Sequence, residues 1–376
     1  MNHKLEIDTP TLQAWLENGR SIEVIDIRPR VDYEAWHIPG SLNVDAYRAI
    51  YAHSPGPLAD YHPQDGKQVV AVCYVGQTSK IAAQYLASRG IEALSLTGGM
   101  QAWSLTWNTA EVPLAQSKAE IVQVRRTGKG CLSYWVAADG EAVVIDPSVD
   151  PQVYLDLAAQ RGCSIVKVLD THIHADHLSR SRALAELSGA AHYLPKQDRA
   201  HFRHQALEPG QAIAFGGSQL EAIHTPGHTF ESMSFVLDGE ALFSGDTLFL
   251  DSVGRPDLKA SREESEARAR ALHHTLQNLA SMRPDLIILP CHTSQPVPFD
   301  QVPLMSPLET VADKVEALRY DDDKFVSWIL DRIPANPPNY EKIVQLNEEG
   351  VLPALDPTLL EAGGNMCAVS RLSKGI

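Results

Sequence analysis

From Ile22 to Gly99, short apolar runs alternate with one helix-period segment: IEVIDIR, QVVAVC, then SKIAAQYLASRG with Ile81, Ala82, Tyr85 and Leu86 on one face, then ALSLTGG. This order predicts strand, strand, helix, strand, an α/β unit. After Trp103 the periodicity fades around a proline, so a linker is expected at 109–118, dividing a first domain at 1–108 from a second at 119–300. The second opens with CLSYWVAADGEAVVIDPS, two strands joined at Asp139-Gly140, and MSFVLDGEALFSGD repeats the device at Asp238-Gly239. PQVYLDLAAQRG, SRSRALAELSG and ASREESEARARALHHTLQNLA predict helices, while SIVKVLDTH, AAHYLP and DLIILPCH read as buried strands. Two more helical patterns follow Pro303, then PANPPNY and a short tail. With Phe325, Trp328, Ile329 and Leu330, residues 301–376 read as a helical appendage packed on the second domain.

Composition narrows the function class. A net charge of −15 argues against nucleic acid and anionic lipid as partners and favours a small-molecule substrate. The opening MNHKLEIDTP lacks a signal-peptide core and no apolar run is long enough for a membrane span, so a cytoplasmic protein is expected. Cys73, Cys131, Cys163, Cys291 and Cys367 form no CxxC pair and are odd in number, which predicts reduced thiols rather than disulfides.

THIHADH sets His172, His174, Asp176 and His177 in one loop directly after a strand, where alternate side chains turn toward one point. His228 in TPGHT, Asp246 in SGDT and His292 in PCHTS follow further predicted strands. Imidazole and carboxylate together suit zinc, iron or manganese. His53, His62, His201, His204, His273 and His274 lack such a setting and are expected to be solvated.

HxHxDH with TPGH, SGD and a late PCH resembles the metallo-β-lactamase superfamily over about residues 119–300, which implies an αββα sandwich with metal at its rim. THIHADH, TPGHT, SGDTLF and SVGRPDL resemble the persulfide dioxygenases, relatives of glyoxalase II that oxidise glutathione persulfide. That resemblance implies one Fe(II) per chain at His172, His228 and Asp246; Arg255 and Asp257 in GRPDL fit its pattern, with Arg255 either binding ligand or forming an internal Arg–Asp salt bridge that only shapes the loop. Two histidines and a carboxylate with open positions suit non-haem iron chemistry with O2. His174, Asp176, His177 and His292 complete a dinuclear set as well, so one or two Zn(II) ions and thioester hydrolysis stay open.

Cys73 ends the run QVVAV just before a helix, where amide N–H groups favour a thiolate able to carry a sulfane sulfur. DIRPRVDYEAWHIPGSLNV, the CxxGxxS loop and LTGGMQAW resemble the rhodanese family across about residues 6–105, a parallel α/β sheet with helices on both faces. The resemblance implies Cys73 as persulfide carrier, the loop amides through Ser79 as anion cradle, and Asp26, Arg28, Glu34 and His37 as structural neighbours. Tyr74, Val75, Gln77 and Thr78 stand where many rhodaneses carry cations, which puts thiosulfate in doubt as donor; Lys80 lies just beyond. The expected partners are a small thiol persulfide, O2 and a sulfane-sulfur donor, with a homo-oligomer possible. The rival readings are a zinc thioester hydrolase with a regulatory rhodanese domain, and a sensing module.

Overall fold

The computed structural model describes residues 5–64 and 66–369. The first domain is built on a five-stranded parallel sheet, ordered Glu6–Ile7, Ala93–Leu96, Gln68–Val72, Ile22–Asp26, Leu42–Asn43. Alternation along the central strand explains its two coverings. Val69 and Ala71 pack with Ala82, Ala83 and Leu86 of helix Gln77–Ser88, whereas Val70 and Val72 pack with Leu12, Met100 and Trp103 on the other face. The buried face of helix Gln77–Ser88 differs from the expected one: Ile81 is exposed, and Ala83 takes its place in the core.

The second domain stacks two mixed sheets. Seven strands form one, six the other, and their inner faces interdigitate through residues such as Tyr134, Ile145 and Leu169 on one side and Phe215, Phe235 and Phe243 on the other. Helices Pro151–Gln160 and Ser181–Ser188 cover the first sheet, and helix Arg262–Ala280 covers the second. The result is helix, sheet, sheet, helix. Asp139 and Gly140, at φ 45° and 83°, turn the first hairpin, and Asp238 and Gly239 repeat this at 48° and 71°. Residues 109–112 differ from the expected linker. Asn108–Val112 pairs antiparallel with strand Glu120–Arg126 and forms the edge of the seven-stranded sheet, since Ala110 and Val112 have an apolar surface to bury.

Beyond residue 301, Phe325 and Ile329 on helix Asp322–Leu330 are fully buried against Leu272 and Leu276 of helix Arg262–Ala280. This cover also buries His273, expected to be solvated, whose Nε2 lies 2.9 Å from the Tyr320 carbonyl. The expected short tail contains a helix at Tyr340–Glu349, a short one at Thr358–Glu361, and a strand at Ala368–Val369 that pairs with Val253–Gly254. Among the described residues no helix is long and apolar enough to cross a membrane.

Candidate functional site

Parallel register creates the floor of the histidine cluster. Strands Glu141–Ile145 and Ser164–Leu169 lie side by side with Ile145 opposite Leu169, so the residues just past their ends, Asp146 and Asp170, emerge together. Asp146, at φ 51°, receives the Thr171 amide at 2.7 Å and the Thr171 hydroxyl at 2.8 Å, which pins the start of the THIHADH loop. Asn347 then clamps the loop from outside: its Nδ2 donates to the carbonyls of His174 and His177, and its Oδ1 accepts from the Ser179 amide.

All seven expected metal ligands are buried, and they separate into three groups. His172, His228 and Asp246 converge: the Nε2 atoms of His172 and His228 lie 3.8 and 3.6 Å from Asp246 Oδ2. His172 Nε2 and Asp246 Oδ2 are buried without a hydrogen-bond partner. His228 Nδ1 donates to the Arg255 carbonyl at 2.7 Å, leaving Nε2 directed at the same point. Burial holds the imidazoles of His172 and His228 below the usual range, so both keep lone pairs free. Burial opposes ionisation of Asp246, but His292, aided by His172 and His228, carries its carboxyl far below the ordinary value.

Asp176, His177 and His292 form a second group, joined by Cys131. His292 Nδ1 lies 2.5 Å from Asp246 Oδ1 and its Nε2 3.0 Å from Asp176 Oδ2, while His177 Nδ1 lies 3.0 Å from Asp176 Oδ1. Burial opposes charge on both imidazoles, yet the carboxylates win: Asp246 raises His292 well above its ordinary range, and Asp176 lifts His177 to about 9. For Cys131, burial and Asp176 raise the thiol but His177 and His292 outweigh them, leaving it at about 7. His174 stands apart, its Nε2 3.1 Å from Asp146 Oδ1. A cavity of about 350 Å3 reaches the cluster, lined among others by His172, His174, His192 and Phe202.

Arg255 takes the second of its two expected roles, the internal pair with Asp257. It is wholly buried and its guanidinium is spent internally, on both Asp257 oxygens, Asn336 Oδ1 and the carbonyls of Pro334, Ala335 and Met366. No donor is left for a ligand; Arg255 instead fastens the appendage to the loop that orients His228. Sequence reading missed Asp146, Asp170, Cys131 and His192, whose Nε2 lies 2.9 Å from Asp170. An aspartate closing each apolar run, in VVIDPS and KVLDTH, was the available signal.

In the first domain Cys73 is 1% exposed, at the end of strand Gln68–Val72 and before helix Gln77–Ser88. The Ser79 amide donates to its sulfur at 3.3 Å and the Ser79 hydroxyl sits 3.2 Å away. Glycines at 76 and 99 let the loop fold tightly, since a Cβ on Gly99 would fall 2.3 Å from the Cys73 carbonyl. Nearby cations are engaged elsewhere. Lys80 pairs with Glu6 at 3.1 Å, and Arg28 is held by the buried Asp26 carboxylate at 2.6 Å and by the Trp36 carbonyl. Glu34 pairs with Arg30 in solvent, and His37 stacks on Tyr33. The Tyr74 hydroxyl donates to Asp32, and burial together with that bond keeps it protonated.

Comparison with known proteins agrees with this two-part architecture. Residues 8–106 match the rhodanese-like domain family and residues 126–292 the metallo-beta-lactamase superfamily. The hydroxyacylglutathione hydrolase of Pseudomonas aeruginosa (strain LESB58) is 33% identical over 153 residues, 39% of this chain and 56% of that protein. That of Anaeromyxobacter dehalogenans (strain 2CP-C) is 38% identical over 131 residues, 35% of this chain and 51% of that protein. The chain thus spans about half the length of these curated relatives. A solved metallo-beta-lactamase from Staphylococcus aureus subsp. aureus COL superposes with a TM-score of 0.57 at 26% identity, covering 63% of this chain and 74% of that one. The chain is a rhodanese-like domain followed by a metallo-beta-lactamase domain.

Proposed function

We propose that the second domain is a persulfide dioxygenase using one Fe(II) held by His172, His228 and Asp246, and that the first passes sulfane sulfur through Cys73. One observation supports this reading: the buried, neutral imidazoles of His172 and His228 converge on Asp246 Oδ2, which has no hydrogen-bond partner, whereas both oxygens of Asp176 are already engaged, by Asn365 and His177. His177 Nε2 and His292 Nε2 are buried and unpartnered as well, and are the atoms a second metal would use. Bound iron would supply the redox chemistry that lets O2 react with a sulfur, a role zinc lacks. The protein's own groups do the rest. The Arg255 carbonyl orients His228, Thr171 lies 2.9 Å from His172 Nδ1, and the cavity at His172 and His174 is of a size that admits a small thiol. The balanced reaction takes a persulfide, O2 and water to thiol, sulfite and two protons, the sulfane sulfur giving the four electrons that O2 accepts.

For the first domain, the engagement of Lys80 and Arg28 elsewhere favours a persulfide over a dianion such as thiosulfate as donor. The second reading is a dinuclear zinc thioester hydrolase, favoured by the identity to hydroxyacylglutathione hydrolases. Anaerobic reconstitution with Fe(II) or Zn(II), followed by oxygen-electrode assays with glutathione persulfide and parallel thioester assays, separates the two. Iron-dependent O2 uptake with sulfite release supports the dioxygenase. Thioester hydrolysis by a two-zinc form, with no O2 uptake by the iron form, selects the hydrolase.

A further inference from the structure

Two exposed apolar side chains of the rhodanese-like domain, Ile81 at 54% and Tyr51 at 69%, stand at one cavity of about 470 Å3. Ile50, Leu58 and Tyr85 form more of its wall, and it meets the cysteine loop at Gln77 and Thr78. Ile50 and Leu58 belong to the same buried cluster as Cys73, with Tyr85 packed against it. Thr78 directly precedes Ser79, whose amide donates to the Cys73 sulfur. The cavity therefore adjoins the sulfur-bearing loop.

Charge is what this cavity lacks. Among the described residues no lysine, arginine, aspartate or glutamate lines it. Arg89, which lies over the Tyr85 ring, is spent on the carbonyls of Leu58 and Tyr61, and Lys80, next to Ile81, pairs with Glu6. A donor whose carrier bears several charges, as glutathione does, would give up their hydration here and gain no counter-ion. A hydrocarbon or aromatic carrier gains by leaving water.

From this arrangement we propose that the cavity seats the carrier group of the sulfur donor, and that the donor is the persulfide of a small, uncharged, apolar thiol. The inference rests on the reading of Cys73 as sulfane-sulfur carrier and names the donor class. Cys73 loses its proton to water and its thiolate attacks the outer sulfur of R–S–SH. The donor's S–S bond breaks, the thiolate of R leaves with the bonding pair and takes up a proton, and Cys73 is left as its persulfide. One sulfur atom changes hands and no further reactant is consumed.

The test loads full-length protein in the absence of O2 from freshly generated benzyl persulfide, from glutathione persulfide or from thiosulfate. Mass spectrometry counts the sulfur gained at Cys73. For the two persulfides each rate is divided by that of the same donor with free cysteine, which removes differences in intrinsic reactivity. Wild type is expected to favour benzyl persulfide over glutathione persulfide by about 10-fold at low donor concentration. Ile81→Glu and Tyr51→Glu, both at exposed positions, are expected to erase that preference by raising the half-saturating concentration of benzyl persulfide, with its maximal loading rate and the glutathione persulfide rate within about twofold of wild type. A merely structural role would slow every donor alike. An equal or faster normalised rate from glutathione persulfide in wild type, loading by thiosulfate alone, or a preference that survives in both variants overturns the apolar seat and leaves Cys73 as a carrier. No sulfur at Cys73 from any of the three donors overturns both readings.

Discussion

Arg126 and Glu361 form an ion pair of 2.7 Å with neither side chain in contact with solvent, joining the start of the metal domain to its final short helix. Arg180 adds a second contact at 2.6 Å, and the Leu178 amide donates to the same carboxylate. Burial opposes ionisation of Glu361, but Arg126 and then Arg180 outweigh it and lower its pKa from 4.5 to about 2.

A folded pKa below the unfolded one gives stability that is present above the unfolded value and lost as pH falls through the folded one. Glu361 therefore contributes about 3 kcal/mol at neutral pH, declining between pH 4.5 and about 2. Glu361→Gln should lower stability at pH 7 by a comparable amount, since it strands two buried guanidinium groups. Its stability should also fall less steeply than wild type over that acid range. Denaturant melts at pH 7 and across that range check both expectations.

His172→Ala or Asp246→Ala should abolish iron retention and persulfide-dependent O2 uptake. His292→Gln should keep one iron per chain but bind it about 10- to 100-fold more weakly, because His292 holds Asp246 in place. Metal analysis beside competition with a chelator reads both, and a loss in His292→Gln equal to that in Asp246→Ala would refute the division of roles.

Cys73→Ser should remove sulfur transfer while leaving persulfide-dependent O2 uptake within about twofold of wild type, since Cys73 contacts Ser79 of its own domain and none of the metal cluster. Equal loss of both activities in a folded variant would contradict the modular arrangement.

Phe325→Ala should cost about 3–5 kcal/mol, the usual penalty for emptying a closed aromatic site. Truncation after Gln301 should do more. It bares the second sheet's helix and also removes Asn347, Glu361 and Asn365, so the product should aggregate and fail to retain metal. A monodisperse truncation with unchanged Tm would count against this.

Local order was readable and register was not. The ligand loop, the cysteine loop and both Asp-Gly hairpins announce themselves because neighbouring residues act together. Asp146 and Asp170 join the cluster only because two strands pair in parallel at one register. Arg255 shows the same limit: its pairing with Asp257 was one of the two roles its place in the chain allowed, but that Pro334, Ala335, Asn336 and Met366, far along the sequence, take the rest of its donors could not be read there. The helix at Tyr340–Glu349 escaped notice because its apolar side, Ile343, Val344 and Leu346, is narrow and follows a proline-rich turn.

The bond between Asp176 and Asn365 also orders events during synthesis. The rhodanese-like sheet uses residues 6 to 96 and can close as soon as they leave the ribosome, ahead of everything downstream. The histidine loop emerges long before residues 361–369, so for much of translation its carboxylates and imidazoles stand without the segment that restrains them. Until that segment arrives, Leu178, Arg180 and Asp176 lack the Glu361 and Asn365 contacts they have in the folded protein, so the surroundings of the cluster are completed by some of the last residues made.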